Sequence, residues 1–121
     1  MQPHEIDNML ETLVILVDKR EQPTDRARKR YESFGVPYRR VTLSYGDYAY
    51  NAQLPNGQWI FDEEQTVKPL LAFERKMNLD ELAQCFTHSR SRFQREFERA
   101  KEQGARIFLI VENGNWENLL A

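Results

Sequence analysis

The sequence contains little of what stabilises secreted or membrane proteins. Cys85 is its only cysteine, so no disulfide can form within the chain. No apolar run approaches the roughly 20 residues that a membrane span requires, and the longest aliphatic run, Leu13–Val17, is too short for the core of a secretion signal. His4 and His88 do not form a zinc-ligand pattern. We therefore expect a cytoplasmic protein with no membrane partner.

A strong excess of charge of one sign is also missing. The net charge is −2, which alone gives no support to a nucleic-acid partner. The distribution of the basic residues is more informative, because arginine, whose planar guanidinium suits phosphate, outnumbers lysine and clusters at 26–30 and 90–99. Glutamates interleave with the second cluster, so two solvated helix faces remain the alternative interpretation.

The length of 121 residues and the 40% hydrophobic content predict one folded domain. Short apolar runs and helix-capping residues predict this order of elements: strand Leu13–Val17, helix Asp25–Phe34, strands Val36–Leu43, Asp47–Leu54 and Gln58–Phe61, strand Leu70–Arg75, helices over 78–88 and 89–103, and a buried strand Arg106–Val111. The order predicts an α/β fold with a central mixed sheet flanked by helices. Residues 1–12 would form an N-terminal segment and 13–121 the domain. The residues from Trp116 onward predict the start of a terminal helix with no stop signal, so we expect a piece of a longer protein.

The tripeptide Glu74-Arg75-Lys76 ends the predicted strand that begins at Leu70. Alternate residues of a strand point to opposite faces, so Glu74 and Lys76 should project together, about 7 Å apart along the strand, with Arg75 on the other face. A carboxylate can hold a divalent cation while the lysine orients a water or a phosphate. A surface ion pair is the alternative.

Other acidic residues follow or begin predicted strands. Asp47 comes after Gly46 at the start of a strand, and Asp18 and Glu21 follow the first buried strand. Acidic residues at strand ends tend to line a crevice at the edge of the sheet. Because one carboxylate holds Mg²⁺ poorly, a site would need Asp47 together with Glu74. That spacing alone is a weak pattern that occurs by chance.

Several blocks in order make the pattern specific. They are Val17–Glu21, Gly46–Tyr48, Glu74–Lys76, Asp80, and Arg90 with Gln94 four residues later. Together they resemble the XPF/MUS-type nuclease domain, a branch of the PD-(D/E)xK restriction-endonuclease-like superfamily. The resemblance covers roughly Leu13 to Glu112. It implies a restriction-endonuclease-like three-layer fold.

The resemblance also implies roles for individual residues. Asp47 and Glu74 would bind the metal with the backbone carbonyl of Arg75, and Lys76 would be the catalytic lysine. Asp18 and Glu21 would support the metal site, and the Arg75 side chain would stabilise it from the opposite face. Contacts to DNA are expected from these residues: Arg90, Arg92, Gln94, Arg95, Arg26 and Arg28.

The implied function is Mg²⁺-dependent hydrolysis of phosphodiester bonds in branched DNA (a flap, fork or junction), with Mn²⁺ able to substitute. It would serve repair, recombination or phage DNA processing in a bacterial cell or a phage-infected host, as a homodimer or with a partner protein. One alternative is a non-catalytic DNA-binding partner of an active nuclease, and another is an unrelated α/β domain with coincidental motifs. Tyr45, Tyr48 and Tyr50 could stack on unpaired bases, but we expect them to pack inside the protein.

Overall fold

The computed structural model describes residues 2–76, 78, 80, 81, 83, 84 and 90–112. Its helices and strands are α1 (Pro3–Glu11), β1 (Val14–Asp18), α2 (Asp25–Glu32), β2 (Tyr38–Val41), β3 (Tyr48–Asn51), β4 (Leu71–Lys76), α3 (Arg90–Glu102) and β5 (Arg106–Val111). The interpretations of Cys85, His88 and the terminal helix near Trp116 fall outside the described residues. None of the described helices is long and apolar enough to span a membrane.

The five strands form one mixed sheet in the order β2-β1-β3-β4-β5. β1 runs parallel to β2 and β4 parallel to β5, while β3 lies antiparallel between β1 and β4. The beginning of β3 therefore meets the ends of β1 and β4: Tyr48 pairs with Val17 on one side and with Phe73 on the other. This register brings Asp47, Asp18 and Glu74 to the same edge of the sheet.

Helices cover both faces of the sheet, which confirms the predicted three-layer α/β fold. On one face, Ala27 and Tyr31 of α2 pack against Val17 and Tyr48. On the other face, Ala100 of α3 packs with Ala72 and Tyr45. The same face also carries the main aliphatic cluster, which consists of Val14, Leu16, Val41, Leu43, Ala49 and Val67.

The prediction that Gln58–Phe61 returns as a hairpin partner is confirmed only in part, because the segment does not form a strand. An isolated antiparallel bridge joins Gln53 and Trp59, and beside it Leu54 N–H donates to Gln58 O at 2.7 Å and Ile60 N–H donates to Ala52 O at 2.9 Å. The buried side chain of Asn51 takes the place of a ladder, because its Oδ1 accepts from Phe61 N–H at 3.0 Å and its Nδ2 donates to Phe61 O at 3.0 Å. A side chain that satisfies backbone groups in this way removes the need for continuous strand pairing.

The prediction that Arg106–Val111 is a buried strand is wrong for its side chains. β5 forms, but it lies at the edge of the sheet, and Phe108, Leu109 and Ile110 are 47%, 38% and 44% exposed in the described structure. An apolar run predicts a strand without distinguishing a central position from an edge. Tyr45 and Tyr48, by contrast, are buried as predicted.

Candidate active site

A cleft of about 290 Å³ opens where the ends of β1 and β4 meet the start of β3. The residues that line it are Asp18, Arg20, Glu21, Asp47, Glu74, Arg75, Lys76, Glu81, Arg92, Phe93 and Glu96. The structure thus brings together the six residues to which the resemblance assigns a catalytic or supporting role. Three further charged residues of the cleft, Arg20, Glu81 and Glu96, were not singled out from the sequence.

Glu74 and Lys76 project from the same face of β4, as the alternation of the strand predicts. Lys76 Nζ lies 3.6 Å from Glu74 Oε2, and Glu74 is only 6% exposed. Burial, followed by the charge of Asp47 and a hydrogen bond with Glu96, raises the pKa of Glu74 to about 9. The nearby ammonium of Lys76 acts in the opposite direction but does not compensate. Negative charge at this position therefore lacks a sufficient partner.

Asp47 is fixed by a turn that only glycine can make. Gly46 has φ of +82°, and a Cβ there would lie 2.7 Å from Ala72 Cβ. Asp47 N–H donates to Phe73 O at 2.8 Å, and Asp47 Oδ2 accepts from Arg75 N–H at 2.8 Å. Burial raises the pKa of Asp47, although the Arg75 hydrogen bond lowers it. The turn thus directs a second, partly desolvated carboxylate into the cleft.

Asp18 accepts hydrogen bonds from the protein with both carboxylate oxygens. Oδ1 accepts from Leu43 N–H at 3.2 Å, and Oδ2 accepts from Arg20 Nε. Asp18 therefore orients Arg20, a cation that lines the cleft. The signal that could have identified Arg20 is its position two residues after Asp18 in the first acidic block.

Glu21 and Arg75 belong to a second charge cluster, which we call the paired network: Glu21, Arg30, Tyr48, Arg75 and Glu112. Arg30 Nη1 donates to Glu21 Oε1 at 2.6 Å and to the Tyr48 hydroxyl at 3.0 Å, and that hydroxyl donates to Glu21 Oε1 at 2.8 Å. Glu112 accepts from Arg75 Nε at 2.7 Å and from Arg30 Nε at 3.2 Å. The hydrogen bond from Arg75 lowers the pKa of Glu112.

The six residues predicted to contact DNA lie on two helices, and only one of these residues lines the cleft. On α3, Arg92 lies at the cleft, while Arg90, Gln94 and Arg95 are exposed elsewhere on the helix. On α2, Arg26 and Arg28 are exposed and away from the cleft lining. Their contact with DNA stays a prediction.

Glu96 of α3 contributes a third carboxylate close to Glu74. Its Oε1 accepts from Gly46 N–H at 2.6 Å. In the sequence it is one of several glutamates that interleave with arginines, typical of a solvated helix face. Its role depends on a contact across 50 residues of chain, for which the sequence offers no local signal.

The oxygen donors of the cleft suit a hard divalent cation. Within the described part of the chain, no three His, Cys, Asp or Glu residues are arranged to hold a metal ion together. The resemblance assigns a cation to Asp47, Glu74 and the carbonyl of Arg75, with water completing its shell, and this ligand set stays a prediction. Mg²⁺ is commonly bound in this way, because it keeps several waters in its coordination sphere. The raised pKa of Glu74 is consistent with a site built for a positive charge.

Comparison with known families gives one result. The family model of the ERCC4 domain matches residues 17–120, which is most of the chain and includes every residue of the cleft. No curated protein and no solved structure matches the chain. With a five-stranded mixed sheet flanked by helices and the match over residues 17–120, the chain belongs to the ERCC4 domain family, the XPF/MUS-type nuclease domain of the restriction-endonuclease-like superfamily.

Proposed function

We propose that this ERCC4 domain is a Mg²⁺-dependent endonuclease that hydrolyses phosphodiester bonds in branched DNA. The observation that carries the proposal is the meeting of the buried carboxylate of Glu74 with the partly buried carboxylate of Asp47, with Lys76 Nζ 3.6 Å from Glu74 Oε2 in one cleft. Membership of a nuclease family supports the same reaction. Mn²⁺ would substitute for Mg²⁺, because both ions prefer carboxylate, carbonyl and water oxygens.

The residues of the cleft divide the work of phosphodiester hydrolysis. The ion would be held by Asp47, Glu74 and the carbonyl of Arg75. When bound, it would neutralise the negative charge that develops on the phosphate oxygens during hydrolysis. Lys76, whose ammonium lies 3.6 Å from the Glu74 carboxylate, would orient the scissile phosphate or the attacking water. Its position on the same strand face as Glu74 keeps the two groups in fixed relation.

The arginines of the cleft would bind the phosphates on either side of the scissile bond. Arg20 is oriented by Asp18, and Arg92 lines the cleft from helix α3. Contacts to phosphate fix position along the backbone without reading bases. This favours recognition of DNA shape, such as a flap, fork or junction, over recognition of a base sequence.

The cellular setting follows from the same proposal. Cleavage of branched DNA serves repair, recombination or phage DNA processing, in the cytoplasm of a bacterial cell or of a phage-infected host. Association with a second copy or with a partner protein stays a prediction of the resemblance. A non-catalytic DNA-binding role is the second candidate, and the presence of Asp47, Glu74 and Lys76 in one cleft counts against it.

A nicking assay tests the proposal. Wild type and Lys76→Ala are incubated with Mg²⁺ and with flap, fork, Holliday-junction and linear duplex DNA, and Lys68→Ala, which removes an exposed lysine outside the cleft, is the matched control. We expect wild type and Lys68→Ala to cut a branched substrate and Lys76→Ala to be slower by on the order of 100-fold or more. Equal rates for Lys76→Ala and wild type would contradict the site, and DNA binding without any cleavage would favour the non-catalytic role.

A further inference from the structure

The turn that carries Asp47 is held from three sides. We call residues 44–47 the Asp47 turn. Ser44 N–H donates to Val67 O at 2.9 Å, Asp47 N–H donates to Phe73 O at 2.8 Å, and Asp47 O accepts from Asp18 N–H at 2.9 Å. These bonds attach the turn to the sheet and to the segment before β4. Two further groups of the turn, Ser44 O and Gly46 N–H, are bound by a helix.

Helix α3 binds both of these groups through side chains one turn apart. Glu96 Oε1 accepts from Gly46 N–H at 2.6 Å, and Arg99 Nε donates to Ser44 O at 3.0 Å. Residues three apart lie on the same helical face, so the two contacts act together. Next to them Ala100, 2% exposed, packs with the fully buried Tyr45. The helix and the turn are therefore joined by polar and apolar contacts at once.

The same face of α3 reaches the cleft. Arg92 precedes Glu96 by one helical turn, and both line the cleft. No three acidic, histidine or cysteine residues in the described ranges are arranged to hold an ion together, so we assign Glu96 no role as a metal ligand. Two contacts distinguish Glu96 from the other glutamates of α3: its hydrogen bond to the backbone N–H of Gly46, beside Asp47, and its hydrogen bond with Glu74.

We propose that Glu96 is a positioning residue: through Gly46 N–H it holds the Asp47 carboxylate where a divalent cation can bind, and it ties that carboxylate to the helix that carries Arg92. The inference rests on the proposed function, because it assigns Glu96 a role in the same metal site. A glutamine at this position keeps an oxygen that can accept from Gly46 N–H, whereas alanine does not. The pair of variants therefore separates the hydrogen bond from the charge.

The test measures the backbone and the ion rather than cleavage. Hydrogen exchange of the Gly46 amide is followed by NMR, and Mn²⁺ affinity of the DNA-free protein is measured by EPR of the free ion. Wild type is compared with Glu96→Ala, Glu96→Gln and Glu98→Ala, the last of which removes an exposed glutamate of α3 that lies outside the cleft lining. Thermal unfolding checks that all four proteins are folded.

In Glu96→Ala we expect the Gly46 amide to exchange about tenfold faster or more, and the dissociation constant for Mn²⁺ to rise by about tenfold or more. Loss of a charge-assisted hydrogen bond has an effect of this size. Glu96→Gln should keep Gly46 protected and bind Mn²⁺ within a few-fold of wild type, and Glu98→Ala should match wild type. The inference is overturned if Glu96→Ala leaves both quantities unchanged, or if Glu96→Gln loses Gly46 protection as fully as Glu96→Ala does. A wild type that cleaves DNA while Glu96→Ala is unchanged would overturn this inference alone; a wild type that neither binds Mn²⁺ nor cleaves would overturn the proposed function with it.

Discussion

Two charge clusters lie back to back at the end of β4, and they are balanced in opposite ways. In the paired network, Glu112 accepts from both Arg75 and Arg30, and its pKa is lowered. In the cleft, Glu74 faces further carboxylates with Lys76 as a nearby cation, and its pKa rises to about 9. The alternation of one strand sends Arg75 to the first cluster and Glu74 to the second.

The difference separates a structural use of charge from a functional one. Carboxylates that accept hydrogen bonds from arginines stabilise the fold and connect α2, β4 and the end of β5. Carboxylates that repel one another in a buried place cost stability unless a cation is present. Perturbed groups of this kind cluster at functional sites. Substitutions of Glu74 change the cleft, whereas substitutions of Glu112 change the paired network.

The largest expected effect comes from removing a carboxylate from the cleft. Glu74→Gln should slow Mg²⁺-dependent cleavage by on the order of 100-fold or more, because an amide is a poor ligand for the ion. The same variant should be no less stable than wild type without metal, because burial forces Glu74 to take up a proton when the chain folds at neutral pH, whereas a glutamine needs none. Nicking rates and thermal unfolding of the metal-free protein measure the two quantities, with the exposed Glu64→Gln as the control. Full activity of Glu74→Gln would contradict the assignment.

The opposite response is expected from the paired network. Glu112→Gln removes the carboxylate shared by Arg30 and Arg75, whose side chains are each only 16% exposed, and should lower the free energy of unfolding by about 2 kcal/mol. Arg28→Ala breaks the exposed pair with Asp25 and should cost less than about 0.5 kcal/mol. Urea unfolding measures both. If Glu112→Gln were as mild as Arg28→Ala, the network would have no structural role.

The last expected effect is a pH dependence of stability that originates in the cleft. An unfolded chain releases the Glu74 proton near pH 4.5, whereas the folded metal-free protein keeps it until about pH 9. Between these values the folded state binds more protons, so the free energy of unfolding should fall as pH rises, by on the order of 1 kcal/mol or more. Glu74→Gln should lack this contribution, and saturating Mg²⁺ should suppress it in wild type. A metal-free wild type whose pH dependence equals that of Glu74→Gln would rule out the raised pKa.

The sequence predicted those parts of the site that depend on strand geometry. The common face of Glu74 and Lys76 follows from alternation, and the meeting of Asp47 with them in one cleft is what the family resemblance implies. Glu96 was missed because its role requires α3 to pack against the Asp47 turn, a contact that the charge pattern of the helix does not encode.

The errors in the fold have the same physical origin. The strand predicted at Gln58–Phe61 is replaced by hydrogen bonds from the buried side chain of Asn51, which composition alone does not reveal. Strand β5 was predicted correctly as a strand, but its exposure follows from its position beside β4 at the edge of the sheet. Local patterns thus identify elements, while tertiary neighbours decide burial and hydrogen-bond partners.

The most direct test asks whether the cleft binds a cation in exchange for the proton on Glu74. Mn²⁺ is titrated into wild type and into Glu74→Gln by calorimetry, near pH 7.5 and in two buffers of different ionisation enthalpy. Metal binding should displace the proton that Glu74 keeps below about pH 9. We expect wild type to bind Mn²⁺ with release of a proton, and we expect Glu74→Gln to bind Mn²⁺ far more weakly and to release no proton. Equal binding by both proteins, or no binding by wild type, would contradict this expectation.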